Sequence, residues 1–169
     1  MNTGEYWHVV WTTQGCWGPY DDRGDWNTLG AFYEKLCMEF QGVKFSRPLP
    51  KCWRGMACLT DHVCLSNRAR TQVGADIRRL AATGGDRVAG NAPVIGIAVE
   101  PTCVQLVFSC DADALSQRVG RLKSRTSTLL SFVPEIGAGG KGTWGKGFWY
   151  ACFSDQRIVS RVVAFVGAS

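Results

Sequence analysis

The chain has 169 residues, 46% hydrophobic, 11% aromatic and 20% charged, with 20 Gly, 6 Pro and 7 Trp, which excludes a disordered tail, a collagen-like fibre and a coiled coil. That length makes about one domain, able to bury roughly two-thirds of its unfolded surface without a staple, and no run approaches the roughly 18 apolar residues of a membrane span. A net charge of +5, from 19 Lys and Arg against 14 Asp and Glu, permits an anionic partner without requiring one.

The first predicted element is a strand from Tyr6 to Thr13, with Tyr6, His8 and Val10 facing one way and Trp7, Val9 and Trp11 the other. Residues 14–26, with Gly-Pro and Asp-Arg-Gly punctuation, read as a long loop. Asn27 is expected to cap a helix running to about Phe40, with Leu29, Phe32, Tyr33, Leu36 and Phe40 on one stripe. Residues 41–55 read as a connector, and a helix is expected from about Asn67 to Ala82.

Two β-rich runs, Pro93 to Glu100 and Cys103 to Ser109, predict a hairpin turning at Pro101-Thr102. In its second strand Cys103, Gln105 and Val107 share one face, and Val104, Leu106 and Phe108 the other. Asp111 is expected to cap a helix with an apolar stripe of Leu115, Val119, Leu122, Leu129 and Leu130, leaving Arg118, Arg121, Lys123 and Arg125 displayed. A glycine-rich stretch over 137–147 leads into an aromatic strand from Phe148 to Phe153, and Ser154 is expected to cap a last helix ending near Val166. The order predicts an α+β fold: an antiparallel sheet with packed helices, one domain over residues 1–169.

Eight cysteines (Cys16, Cys37, Cys52, Cys58, Cys64, Cys103, Cys110 and Cys152) contain no C-x-x-C pair and fit no zinc template, and the only histidines are His8 and His62. Buried reduced thiols and no metal are therefore expected. The first residues lack a basic and then apolar leader, so a cytoplasmic location is the default expectation. No phosphate loop and no G-x-S-x-G elbow occurs. The alternation Lys141, Trp144, Lys146, Phe148, Trp149 has the chemistry of a single-strand surface, cations following phosphates and rings stacking on bases. It equally suits a turn and strand planting aromatics in the core. Arg118, Arg121, Lys123 and Arg125 suit either a phosphate clamp or a solvated helix face.

The order of these blocks resembles the single-tyrosine HUH transposases, particularly the REP-associated group. The resemblance is carried by Tyr6-Trp-His-Val-Val-Trp-Thr-Thr-Gln-Gly-Cys-Trp-Gly-Pro-Tyr-Asp-Asp-Arg-Gly, by the hairpin strand Thr102-Cys-Val-Gln-Leu-Val-Phe, by Arg121-Leu-Lys-Ser-Arg125 and by Trp144-Gly-Lys-Gly-Phe-Trp-Tyr150 before a final helix. It covers most of the chain and implies a ferredoxin-like, HUH transposase-like domain, typically dimeric. In that family two histidines at i and i+2 on one strand hold Mg²⁺ or Mn²⁺, a tyrosine on the last helix attacks the scissile phosphate of single-stranded DNA, and a polar residue four positions on completes the metal site.

Here the histidine positions read Cys103 and Gln105, the nucleophile position Phe165 and the last position Ser169. A thiol with a carboxamide suits neither Mg²⁺ nor Mn²⁺, and phenylalanine has no hydroxyl. The resemblance thus implies a catalytically silent relative with no metal cofactor. It would bind single-stranded or hairpin DNA through Arg118, Arg121, Lys123, Arg125, Lys141, Trp144 and Lys146, as a possible homodimer with no membrane partner. Two other readings stand beside it: a protein-interaction or assembly module on the same fold, and an active nickase with substituted residues, for which Tyr150 is the candidate surrogate nucleophile.

Overall fold

The computed structural model describes residues 4–16, 26–47, 63–82, 93–133 and 142–168. Strand β1 (Tyr6–Thr12) forms the middle of a five-stranded antiparallel sheet, because its aromatic and β-branched residues are apolar on both faces. It pairs on one side with β4 (Cys103–Ser109) and on the other with β5 (Trp149–Phe153). Outside these lie β3 (Val94–Val99) against β4, and a two-residue edge strand, β2 (Lys44–Phe45), against β5. The four longer strands run β5-β1-β4-β3, closing the expected hairpin onto the opening strand. Strand β2 lies where the sequence reads as a connector; two residues carry too little alternation to announce a strand, and their pairing comes from β5.

Helices cover both faces. On one, α1 (Asn27–Glu39) and α4 (Gln156–Gly167) press Leu29, Tyr33, Leu36, Ile158 and Val162 onto Val10, Val107, Trp149 and Ala151. On the other, α2 (Asn67–Ala82) and α3 (Ala112–Leu130) press Val73, Ile77, Leu115, Val119 and Leu122 onto Val9, Trp11, Val104, Leu106 and Phe108. The period-two facing of β1 and β4 and the helical stripes thus select the same partition. A Cβ at Gly96 would stand 3.2 Å from Val107 Cγ2 on the neighbouring strand β4, tighter than ordinary contact, while its 3.7 Å to Val163 Cγ2 of α4 is normal packing.

Two caps differ from expectation. Helix α1 includes Asn27, with Trp26 in the capping position and no side-chain cap. Helix α4 is capped not by Ser154 but by Asp155, whose carboxylate accepts from the Arg157 N–H at 2.8 Å; a carboxylate is as good a cap as a hydroxyl and is the one placed next to the first turn. Asp111 does occupy the capping position of α3, without a side-chain bond.

Candidate functional site

The face of the sheet that the family pattern would use for catalysis is filled. Gln105 and Cys103 are both buried and aligned in the register of β4 with Val10 and Thr12 of β1. His8, one step along the same face and fully buried, reaches Gln105 Oε1 from Nε2 at 3.0 Å and Tyr33 Oη from Nδ1 at 2.7 Å. Gln105 Nε2 in turn donates to Glu100 Oε1 at 2.7 Å. The direction of every bond follows from that carboxylate, which only accepts. It turns the amide nitrogen outward, so the amide oxygen faces His8; His8 then carries its proton on Nε2, and Nδ1 accepts from the Tyr33 hydroxyl. Burial holds His8 neutral, its pKa pulled down to about 4, with the Gln105 bond acting weakly the other way, and raises that of Tyr33.

Aromatic rings close the space around this chain of bonds. The Phe165 ring stacks on Phe32 with centroids 4.1 Å apart and meets the His8 ring edge-on at 6.4 Å. His8 also lies against Tyr33 and Trp149. The structure therefore brings Cys103, Gln105 and Phe165 to one face, the first two buried and Phe165 half-buried against the core.

A divalent cation of the kind the resemblance implies does not fit this donor set. The Gln105 oxygen and both His8 nitrogens are spent on one another and on Tyr33, the remaining position is a thiol, and among the described residues no three His, Cys, Asp or Glu side chains converge. Tyr150 cannot join these residues: it stands opposite Val9 in the register and packs on Trp7 at 5.1 Å, on the other side of the sheet. Ser169 lies outside the described residues.

The residues expected to contact nucleic acid divide. Trp144 is buried, its indole donating to Thr126 Oγ1 at 3.0 Å and meeting Trp11 edge-on at 6.0 Å, so its faces are covered by protein. Lys123 is half-buried and donates to the carbonyls of Gly145 and Gly147, both at 2.7 Å, which ties the glycine-rich loop to α3; burial lowers its pKa. Arg118 donates to Ser109 O at 3.0 Å and lies 4.6 Å over the Phe108 ring. Arg125 and Lys146 are exposed and Arg121 half-exposed. Lys141 lies outside the described residues. Arg118 and Lys123 thus have internal work, each reaching backbone oxygens.

Sequence reading passed over the cations of α2. Arg68, Arg70, Arg78 and Arg79 stand on it with one acid, Asp76, which is buried against Gln72 and Arg79. Helix α3 likewise carries four basic residues and one acidic residue, giving the α2/α3 layer a formal +6. The α1/α4 layer carries Glu34, Lys35, Glu39, Arg157 and Arg161, a formal +1, with Arg161 paired to Glu39 and Arg157 to Asp155. The charge of the helices is therefore segregated to one face, a pattern that composition alone hides.

No helix among the described residues is long and apolar enough to cross a membrane. No disulfide links any of the described cysteines, and Cys103, Cys110 and Cys152 are buried, the last two with pKa values pushed up to about 11 chiefly by that burial. No protein-family model matches the chain, and no curated protein does. Among solved structures it is similar to a candidate transposase from Deinococcus radiodurans R1, at 10% identity and a TM-score of 0.48 over 95% of this chain and 87% of that one.

Proposed function

We propose that this chain is a catalytically silent, HUH transposase-like protein that binds single-stranded or hairpin DNA through its α2/α3 layer. The observation that carries the reading is the segregation of charge: a +6 helical layer on one side, and on the other a face filled by His8, Gln105, Phe32 and Phe165. A concentrated cationic surface attracts a polyanion and orients it, whereas the same charges scattered over both faces would only raise solubility. The motif order of the sequence supports the same class of partner, and the replaced His, His and Tyr positions support binding without strand cleavage.

Anisotropy of fluorescein-labelled single strands and hairpins tests it. At about 50 mM salt, where phosphate contacts are strongest, the protein binds, and the affinity falls steeply as salt is raised. Absence of binding to either ligand at that salt overturns the reading.

A further inference from the structure

Helix α2 and strand β3 enclose an open groove of about 440 Å³, within the size range of small-ligand sites. Its floor is apolar, from Ile97 and Val99, and its wall is the α2 face that repeats every four residues as Arg70, Gly74 and Arg78. Side chains on a helix lean toward its N-terminus. Accordingly Arg78 folds back over Gly74, its Nη1 3.6 Å from where a Cβ there would stand, and Arg70 leans onto the Asn67 carboxamide oxygen. The two guanidiniums belong to positions about 12 Å apart by helical rise.

Neither guanidinium meets a carboxylate among the described residues, and Arg70 Nε is buried there without a hydrogen-bond partner. That Nε is closed off from the surface, so what Arg70 can offer an anion is the outer part of its fork, and guanidinium–phosphate bonds are of the strong, charge-assisted kind. The N-terminus of α2 is not the attracting feature, since Ser66 Oγ already accepts from the Ala69 N–H at 3.2 Å.

We infer that the α2/β3 groove is a phosphate-binding cleft, in which Arg70 and Arg78 each take one phosphoryl group of a single ligand while its less polar part rests on Ile97 and Val99. Guanidinium forks match phosphate oxygens two at a time, whereas the Thr71 hydroxyl at the rim already donates to Asn67 O at 3.0 Å. Two phosphates held apart over an apolar floor describe a segment of a nucleic-acid strand; a small polyphosphate offers the same groups. The strand form of the inference rests on the proposed function, whereas the cleft itself does not.

Binding of a short labelled single strand and of inorganic triphosphate, by anisotropy and calorimetry, separates the cases using wild type, Arg70→Ala/Arg78→Ala and Arg121→Ala/Arg125→Ala. Expected for the α2 variant are a melting temperature unchanged from wild type, an affinity for the strand lower by about tenfold, and a log–log salt slope shallower by about 1.4 for two lost contacts. Triphosphate competes with the strand in wild type and binds the α2 variant no better than background. If the α2 variant binds both ligands like wild type while the α3 variant loses the strand, the cleft is refuted and the proposed function stands. If wild type binds triphosphate through Arg70 and Arg78 but binds no strand, the cleft stands and the proposed function falls. If wild type binds neither, both fall.

Discussion

Burial of His8 ties the stability of this domain to pH. Its folded pKa of about 4 lies below the ordinary value of 6.5, so between those values the unfolded chain binds a proton that the folded chain refuses. The stability His8 contributes is complete above about pH 6.5 and is lost as pH falls toward 4, by about 3 kcal/mol in all. His8→Phe leaves the Tyr33 hydroxyl and the Gln105 amide oxygen without their partner and costs about 1–3 kcal/mol at pH 7. Urea titrations at pH 7, 5.5 and 4 should show the gap between wild type and this variant narrowing as the pH drops; a constant gap would mean that His8 is not the titrating group. Phe165 makes the complementary point. Phe165→Tyr places a phenol beside Phe32 and His8 but no metal site, so incubation with single-stranded DNA and Mn²⁺ should give no covalent adduct on a denaturing gel. An adduct would overturn the proposal of a catalytically silent protein.

At the scale of elements, the segment from Gly142 to Phe148 belongs to the fold as much as to any surface. Thr13 bridges to Trp144, the Gly145 N–H donates to Thr12 O at 2.8 Å, and Lys123 holds two carbonyls of the same segment. Gly145 is required there, because a Cβ would stand 3.1 Å from Thr12 Oγ1 and 3.2 Å from Thr13 O. Lys123→Met should therefore lower stability by about 1.5–3 kcal/mol, the range for bonds involving a charged group. Arg125→Ala, on an exposed part of the same helix, should leave the melting temperature unchanged and weaken strand binding. Equal loss of stability in the two variants would remove the distinction between anchor and surface. The alternation of Lys and Trp was legible in the sequence, but its two interpretations differ only in whether Thr126, eighteen residues earlier, receives the Trp144 indole. No local pattern encodes that.

The whole molecule separates a helical layer of formal +1 from one of formal +6. Replacing Arg157 and Arg161 by Gln, on α4, should change affinity for a single strand by no more than about twofold, since Asp155 and Glu39 already compensate them. Charge-neutral replacements on α2 and α3 should each flatten the salt dependence, which anisotropy at several salt concentrations reads directly. Equal sensitivity of both layers would mean that only net charge matters. Cys110 and Cys152, buried in the α2/α3 half of the core, should resist thiol reagents in the native state, because their raised pKa values keep them protonated at neutral pH.

Local periodicity by itself determined much of this protein. The two faces of β1 and β4, the hairpin and the apolar stripes of α1, α3 and α4 all follow from spacings of two, three and four residues, and that Phe165 carries no hydroxyl and Cys103 and Gln105 no imidazole needs no coordinates. Only the tertiary structure decided what surrounds Cys103, Gln105 and Phe165. His8 and Gln105 are 97 residues apart, and Tyr33 and Glu100 enter from other elements, so their chain of bonds exists only once the sheet closes. The same holds for the groove of Arg70 and Arg78. Their spacing is written in α2, but the apolar floor that makes it a site comes from β3, and burial and charge partnership are properties of contact between segments rather than of any one of them.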